Sequence, residues 1–462
     1  MNLASFPGNI FAYSKEKVSV LFFCLYCAAL IIFPKGFGLD ADGWREILSG
    51  YKIIFNHVYE PSRFPGYPVP EFFASFLWFT KLPSIIPGIL NFASVVVSVL
   101  GIYFFASILE FIKKDSNRQI FLAVLAFGLN NLFFINSIVL MDYTWSLAFL
   151  LGAIYFILVD KQIISAVFLA AATGCRLTAG IMIVPILFYF VVLYKNENVT
   201  KLIIKYLLMF SAILFIIYSP LLFNYGLKFL TFDQPDYPKI SLIIGRATIR
   251  VWGIIGTIGL LTGIIIVISQ FFSERSDIKI NGKQIPFIRF IGLSIILFVL
   301  LFIRLPLEAG YLLPVVPLIL ILFFIKLSKT IFQVICISII VSSFFLNFDT
   351  YGFKLQGPLL INYDKRVQET EYMERVIPTI IKKEDKSVII CEAFLPKIEL
   401  NLILRNQTVP HNVKLIYTLS LDSLKRYFFE RQYDVYYLKD INEQIMQIYH
   451  YDLRSLNGKE LD

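Results

Sequence analysis

Long uncharged runs joined by short charged segments fill the chain up to about residue 348, and a charged, alternating pattern follows. A helix needs about 20 apolar residues to cross the hydrocarbon core of a bilayer. The runs predict eleven spans: Val18–Phe33, Leu82–Leu109, Gln119–Met141, Tyr143–Val159, Ile163–Cys175, Leu177–Tyr194, Tyr206–Gly226, Val251–Phe272, Phe290–Ile303, Ala309–Ile325 and Thr330–Phe348. Ile163–Cys175 and Phe290–Ile303 are short, and cross only if flanking charges snorkel or the bilayer thins locally. The first run follows Lys15 and Lys17 and lacks a small-residue cleavage site, so it reads as a retained span. Beyond residue 348, Ser387–Cys391, Val413–Tyr417 and Asp434–Leu438 read as strands, and Pro396–Leu404, Asp422–Arg431 and Asn442–Leu456 as helices. That alternation predicts a small α/β domain over 349–462, following a helical bundle over 1–348 that includes an outer loop at 34–81.

Composition narrows the class. Hydrophobic residues make up 57% and charged residues 16% of the 462 positions, and mean hydropathy is +0.72. Soluble domains carry roughly 25% charged residues, so the chain reads as a polytopic α-helical membrane protein, and disordered and disulfide-framework classes are excluded. The net charge of +9 comes without a basic, aromatic-interleaved soluble module, which argues against nucleic acid as a partner. Basic loops flanking spans account for it. Cys24 and Cys27 have CxxC spacing inside an apolar run with no second ligand pair, which is not a zinc site. Lysine and arginine are denser in the loops that alternate with a cytoplasmic N-terminus, such as the one holding Lys113, Lys114 and Arg118. This orientation in the plasma membrane places the tail outside the cell.

With that topology, charges from separate segments gather at the outer face. Asp40 and Asp42 follow the first span, with Arg63, Tyr67 and Glu71 in the same loop. Asp142 and Arg176 occupy two tight outer turns, and Arg304 and Glu308 flank Pro306 just before Tyr311. Charges at membrane depth cost about 2.5–3.5 kcal/mol on insertion scales, so those that persist are functional candidates. Arginine forks match phosphate oxygens. A carboxylate can take a proton from an incoming hydroxyl, and a second can hold a divalent metal or orient an acceptor. Asp42 and Asp142 are the candidate metal ligands. Together these groups suit transfer from a polyprenyl-phosphate carrier to an acceptor at the outer face. Blander roles compete: solvated span ends for Asp40 and Asp42, a helix N-cap for Asp142, headgroup snorkelling for Arg176 and Arg304, and an aromatic belt for Tyr311.

Five segments carry a family likeness: Leu39-Asp40-Ala41-Asp42-Gly43-Trp44, the Tyr/Pro-rich stretch Tyr59 to Pro68 with Glu71, Met141-Asp142-Tyr143-Thr144-Trp145, Gly174-Cys175-Arg176-Leu177-Thr178, and Arg304 to Pro314. Their order resembles that of the integral-membrane glycosyltransferases of the GT-C superfamily, of the protein O-mannosyltransferase and aminoarabinose-transferase type. Many of those enzymes carry an adjacent Asp-Glu pair in the first loop, where this chain has Asp40 and Asp42 separated by Ala41. The resemblance implies an inverting transfer of a sugar from a polyprenyl-phosphate donor to a lipid, glycan or protein acceptor. It implies Asp42 as base, with Asp40 as the alternate. Asp142 would orient the acceptor or hold a divalent cation, Arg63, Arg176 and Arg304 would bind the donor phosphate, and Tyr67, Glu71, Glu308 and Tyr311 would contact substrate. A transporter or flippase for lipid-linked oligosaccharide is the main competitor, but no internal repeat of the kind common in transporters is evident. A polysaccharide polymerase or ligase is another competitor. A ligand sensor ranks last, since eleven spans exceed what anchoring needs.

Overall fold

The computed structural model describes residues 14–34, 36–80, 82–114, 116–194, 199–230, 237–272, 284–349, 352–417, 433–439, 441, 446, 452–454 and 458–461. They form two compact units. The first draws on residues up to Ile32, Arg63–Pro70 and Leu90–Asn362. The second draws on Phe33–Ser62, Glu71–Ile89 and residues from Tyr363 onward.

The first unit is a helical bundle. Among the described residues, five helical segments are long and apolar enough to cross a membrane: Pro83–Ile112, Val199–Leu230, Ile249–Gln270, Ile285–Arg304 and Ala309–Lys326. The predicted run Phe290–Ile303 proves to be part of a 21-residue helix, Gln284–Arg304, because Arg289 is accommodated inside it. Asp142–Leu158, Gln162–Cys175, Leu177–Leu193 and Lys329–Phe344 are shorter apolar helices. In Asp142–Leu158 most residues are buried within the protein.

Two departures from the hydropathy reading have local causes. The run Gln119–Met141 is broken into Asn117–Gly128 and Asn131–Ser137, bent by 65°. Asn130 caps the second piece by accepting from the Phe133 amide at 3.2 Å, and its own amide donates to the Val251 carbonyl at 2.8 Å. Asn131 does the same to Arg250 at 2.9 Å. Polar amides that find better partners outside the helix end it there. The last apolar helix stops at Phe344 rather than running to Phe348. Phe345–Asp349 (β1) instead pairs antiparallel with Gly352–Gln356 (β2), a conformation that its aromatic residues favour.

The second unit holds a four-stranded parallel sheet, in the order Val413–Ile416 (β4), Ser387–Ile390 (β3), Asp434–Tyr437 (β5) and Lys459–Glu460 (β6). Strand β3 reads Ser-Val-Ile-Ile and is buried throughout, as a central strand covered on both faces should be. Val376, Ile377 and Ile380 of the helix Pro358–Ile381, and Ile398 and Leu402 of Leu395–Leu404, pack into the same core. The expected helices Asp422–Arg431 and, largely, Asn442–Leu456 lie outside the described residues. Two helices in 34–81 have no counterpart in the hydropathy reading. Ala41–Phe55 is amphipathic, and Pro68–Trp78 begins at a proline in the Tyr/Pro-rich stretch. Proline fits the first helical position because the missing N–H is unpaired there anyway.

Candidate active site

In the bundle unit, five residues gather around one buried ion pair. Asp142, fully buried, is the first residue of its helix; Met141 holds the N-cap position, so Asp142 is not the cap. Arg176 follows the helix Gln162–Cys175 in an extended conformation and is 6% exposed. Its Nη1 donates to the Asp142 carboxylate. The buried pair replaces the headgroup-snorkelling alternative for this arginine. Aromatic faces surround the guanidinium: the Tyr143 centroid lies at 3.7 Å, Tyr311 at 4.5 Å and Tyr67 at 5.8 Å. All three are within cation–π range.

A second charged chain adjoins the first. The Tyr143 hydroxyl donates to the Glu308 carboxylate, and Arg63 Nη1 stands 3.6 Å from Glu308 Oε1. Arg63 Nε donates to the Tyr67 hydroxyl at 2.7 Å. Gly310 permits this arrangement, since a Cβ there would fall 2.3 Å from the Tyr143 ring. Tyr143 was absent from the sequence-derived candidates, although the Met-Asp-Tyr segment contained it. Arg246 was also missed. It donates to the Pro306 carbonyl at 2.6 Å and lies within electrostatic reach of Glu308. Its place as the one charge in the short apolar helix Ile240–Ala247 was the available signal. Arg304 ends its helix exposed and makes none of these contacts among the described residues.

The second unit holds the remaining candidates. Asp40 is the N-cap of Ala41–Phe55, its carboxylate accepting from the Asp42 amide at 3.0 Å. The spacing of the two acids is thus in part a helix start: one residue caps, and the other sits in the first turn where the helix dipole favours a negative charge. Asp42 is 3% exposed and pairs with Arg45 at 3.2 Å. Glu71 is fully buried. It accepts from the Tyr59 hydroxyl on one oxygen and from the Ser62 amide at 2.7 Å on the other, which anchors the loop before it. Two residues of the tail hold the segment that leads to Asp40: Arg366 donates to the Pro34 carbonyl at 3.1 Å, and Lys397 to the Leu39 carbonyl at 2.6 Å and to Glu369 at 2.7 Å. Burial brings Arg366 down to about 10, against the pull of Glu369. Nothing in the local sequence marks these two as partners of residues more than 300 positions away.

Glu308 carries a pH prediction. Burial works against its ionisation, but Arg63 and the Tyr143 hydroxyl outweigh it and hold the carboxyl below its ordinary value. A depressed carboxyl stabilises the fold fully above its unfolded-state pKa, and this stabilisation is lost as pH falls toward the folded-state value. Thermal midpoints of the wild type should therefore drop below about pH 4.3, through a component that Glu308→Gln lacks. Parallel pH curves for the two proteins would contradict the ionised Arg63–Glu308–Tyr143 arrangement.

No family model matches the chain, and no curated protein matches it in sequence. In structure it is similar to ArnT from Cupriavidus metallidurans, solved in the apo state. The TM-score is 0.54 at 10% sequence identity, over 94% of this chain and 95% of that one. At such identity the likeness is one of fold.

Proposed function

We propose that the protein is an inverting membrane glycosyltransferase that moves a sugar from a polyprenyl-phosphate donor to an acceptor at the outer face of the plasma membrane. The observation that carries this reading is the clustering in the bundle of Arg63, Tyr67, Asp142, Arg176, Glu308 and Tyr311. All six were picked from sequence for one chemistry. In the proposed reaction Asp42 takes the proton of the acceptor hydroxyl as its oxygen bonds to the anomeric carbon. The bond from that carbon to the phosphate oxygen breaks with inversion, and polyprenyl phosphate leaves. Its transition state has the oxocarbenium character of other glycosyl transfers. Arg63, 30% exposed in its side chain, offers a fork to the departing phosphate, and the exposed Arg304 supplies a second contact. Arg176 contributes as a fixed buried charge, held by Asp142. Preorganised charge of this kind is often the largest catalytic contribution.

The test uses the purified protein in nanodiscs with a panel of radiolabelled polyprenyl-phosphate sugars, scoring release of polyprenyl phosphate with and without envelope extract as acceptor. Release from one donor, with its KM raised at least tenfold in Arg63→Ala, is the expected result. Binding or translocation of a lipid-linked glycan without cleavage would replace the transferase with a transporter. Chelator in the same assay tests a divalent cation at Asp42 or Asp142.

A further inference from the structure

A cleft in the second unit answers to no residue assigned so far except through Asp42. It encloses about 160 Å³ between Ala41–Phe55 and Leu395–Leu404, with Arg45, Ser62, Leu395, Pro396, Glu399 and Tyr417 on its walls. A space of that size suits a group of one small ring rather than a chain.

The wall chemistry selects the class of guest. Arg45 and Lys52 face Glu60 and Glu399, so the two signs balance and an anion gains no net attraction. Lys52 and Glu60 already satisfy one another at 2.5 Å. The Arg45 guanidinium lies 5.7 Å from the Tyr417 ring, and among the described residues its one hydrogen-bond partner is Asp42. The rest of its five-donor fork is available. The Ser62 hydroxyl oxygen is buried and has no partner among the described residues, although such groups are nearly always satisfied in folded proteins. Tyr417 is 46% exposed, and Leu395 and Pro396 add apolar surface. Hydroxyl partners of both kinds around an aromatic and aliphatic face match the two sides of a neutral sugar ring, which has polar edges and C–H faces.

We propose that this cleft is a subsite for one neutral monosaccharide unit of the acceptor. Arg45 joins it to Asp42, so a guest held here is tied to the carboxylate assigned as base. The word acceptor rests on the transferase reading above; the saccharide site itself does not. The test is saturation-transfer NMR on the full chain in nanodiscs, titrated with the methyl glycosides of glucose, galactose and N-acetylglucosamine, with donor cleavage by the wild type assayed alongside. At least one glycoside should bind saturably and bind at least tenfold more weakly to Tyr417→Ala and to Glu399→Gln, both substitutions of exposed side chains. Inorganic phosphate should not displace it. No saturable binding to the wild type, equal binding to both variants, or displacement by phosphate overturns the proposal. Binding lost in the variants, with no donor cleaved by the wild type, supports the cleft and overturns the transferase reading.

Discussion

Asp142→Ala is expected to destabilise the bundle by about 3–5 kcal/mol, the range for removing one partner of a buried ion pair. The surroundings of Arg176 explain why. The guanidinium is 6% exposed, so water cannot take over the lost carboxylate. The rings of Tyr143, Tyr311 and Tyr67 supply only cation–π attraction, about 0.5–2 kcal/mol each. Asp142→Asn should fall between the wild type and alanine, since an amide oxygen can still accept from Nη1 but carries no charge. The discriminating protein is the double variant Asp142→Ala/Arg176→Met. With both charges gone no buried ion is left uncompensated, and most of the lost stability should return, as a coupling of at least about 1–3 kcal/mol in a double-mutant cycle. Thermal or denaturant unfolding in detergent reads all four proteins. Additive losses in the double variant would show that the two side chains do not depend on each other.

This pair illustrates what was legible in the sequence and what was not. Asp142 and Arg176 could be picked because each is a charge beside an apolar run, and the cost of such a charge is a local property of hydropathy. The helices of the bundle were legible for the same reason. Their interruptions were not: the break at Leu129–Asn130 depends on carbonyls of Arg250 and Val251, about 120 residues away. Helix Ala41–Phe55 escaped because its apolar face is interrupted by charges and its cap, Asp40, was weighed as a chemical group. Pro68–Trp78 escaped because a proline that opens a helix is, taken alone, equally at home in an extended chain. Tyr143 and Arg246 look like belt and loop residues until Glu308 and Pro306, 165 and 60 positions away, are brought to them. The C-terminal strands were legible because β-branched runs between polar turns are a local signal. The use of Arg366 and Lys397 to hold the carbonyls of Pro34 and Leu39 is not one.

The two acids of the first motif should separate cleanly when each is replaced by asparagine. Asp40 caps a helix through a side-chain oxygen, and asparagine caps about as well as aspartate. Asp40→Asn should therefore leave folding and sugar transfer near the wild-type level, whereas Asp40→Ala should cost about 0.5–2 kcal/mol of stability. Asp42 has no capping duty. Its carboxylate is nearly buried and pairs with Arg45. Asp42→Asn keeps the shape and removes the basicity, so transfer should fall by about 10²–10⁴-fold, the usual contribution of a positioned general base. Donor binding should change little, because that substitution leaves Arg63 in place, and a selective loss of kcat is the signature of a group that acts only as the transition state forms. Single-turnover release of polyprenyl phosphate, measured with enzyme in excess over donor and at several pH values, separates the two residues. If Asp40→Asn carried the large loss and Asp42→Asn did not, the base would be Asp40, and its bond to the Asp42 amide would be the resting state of a group that turns toward the acceptor.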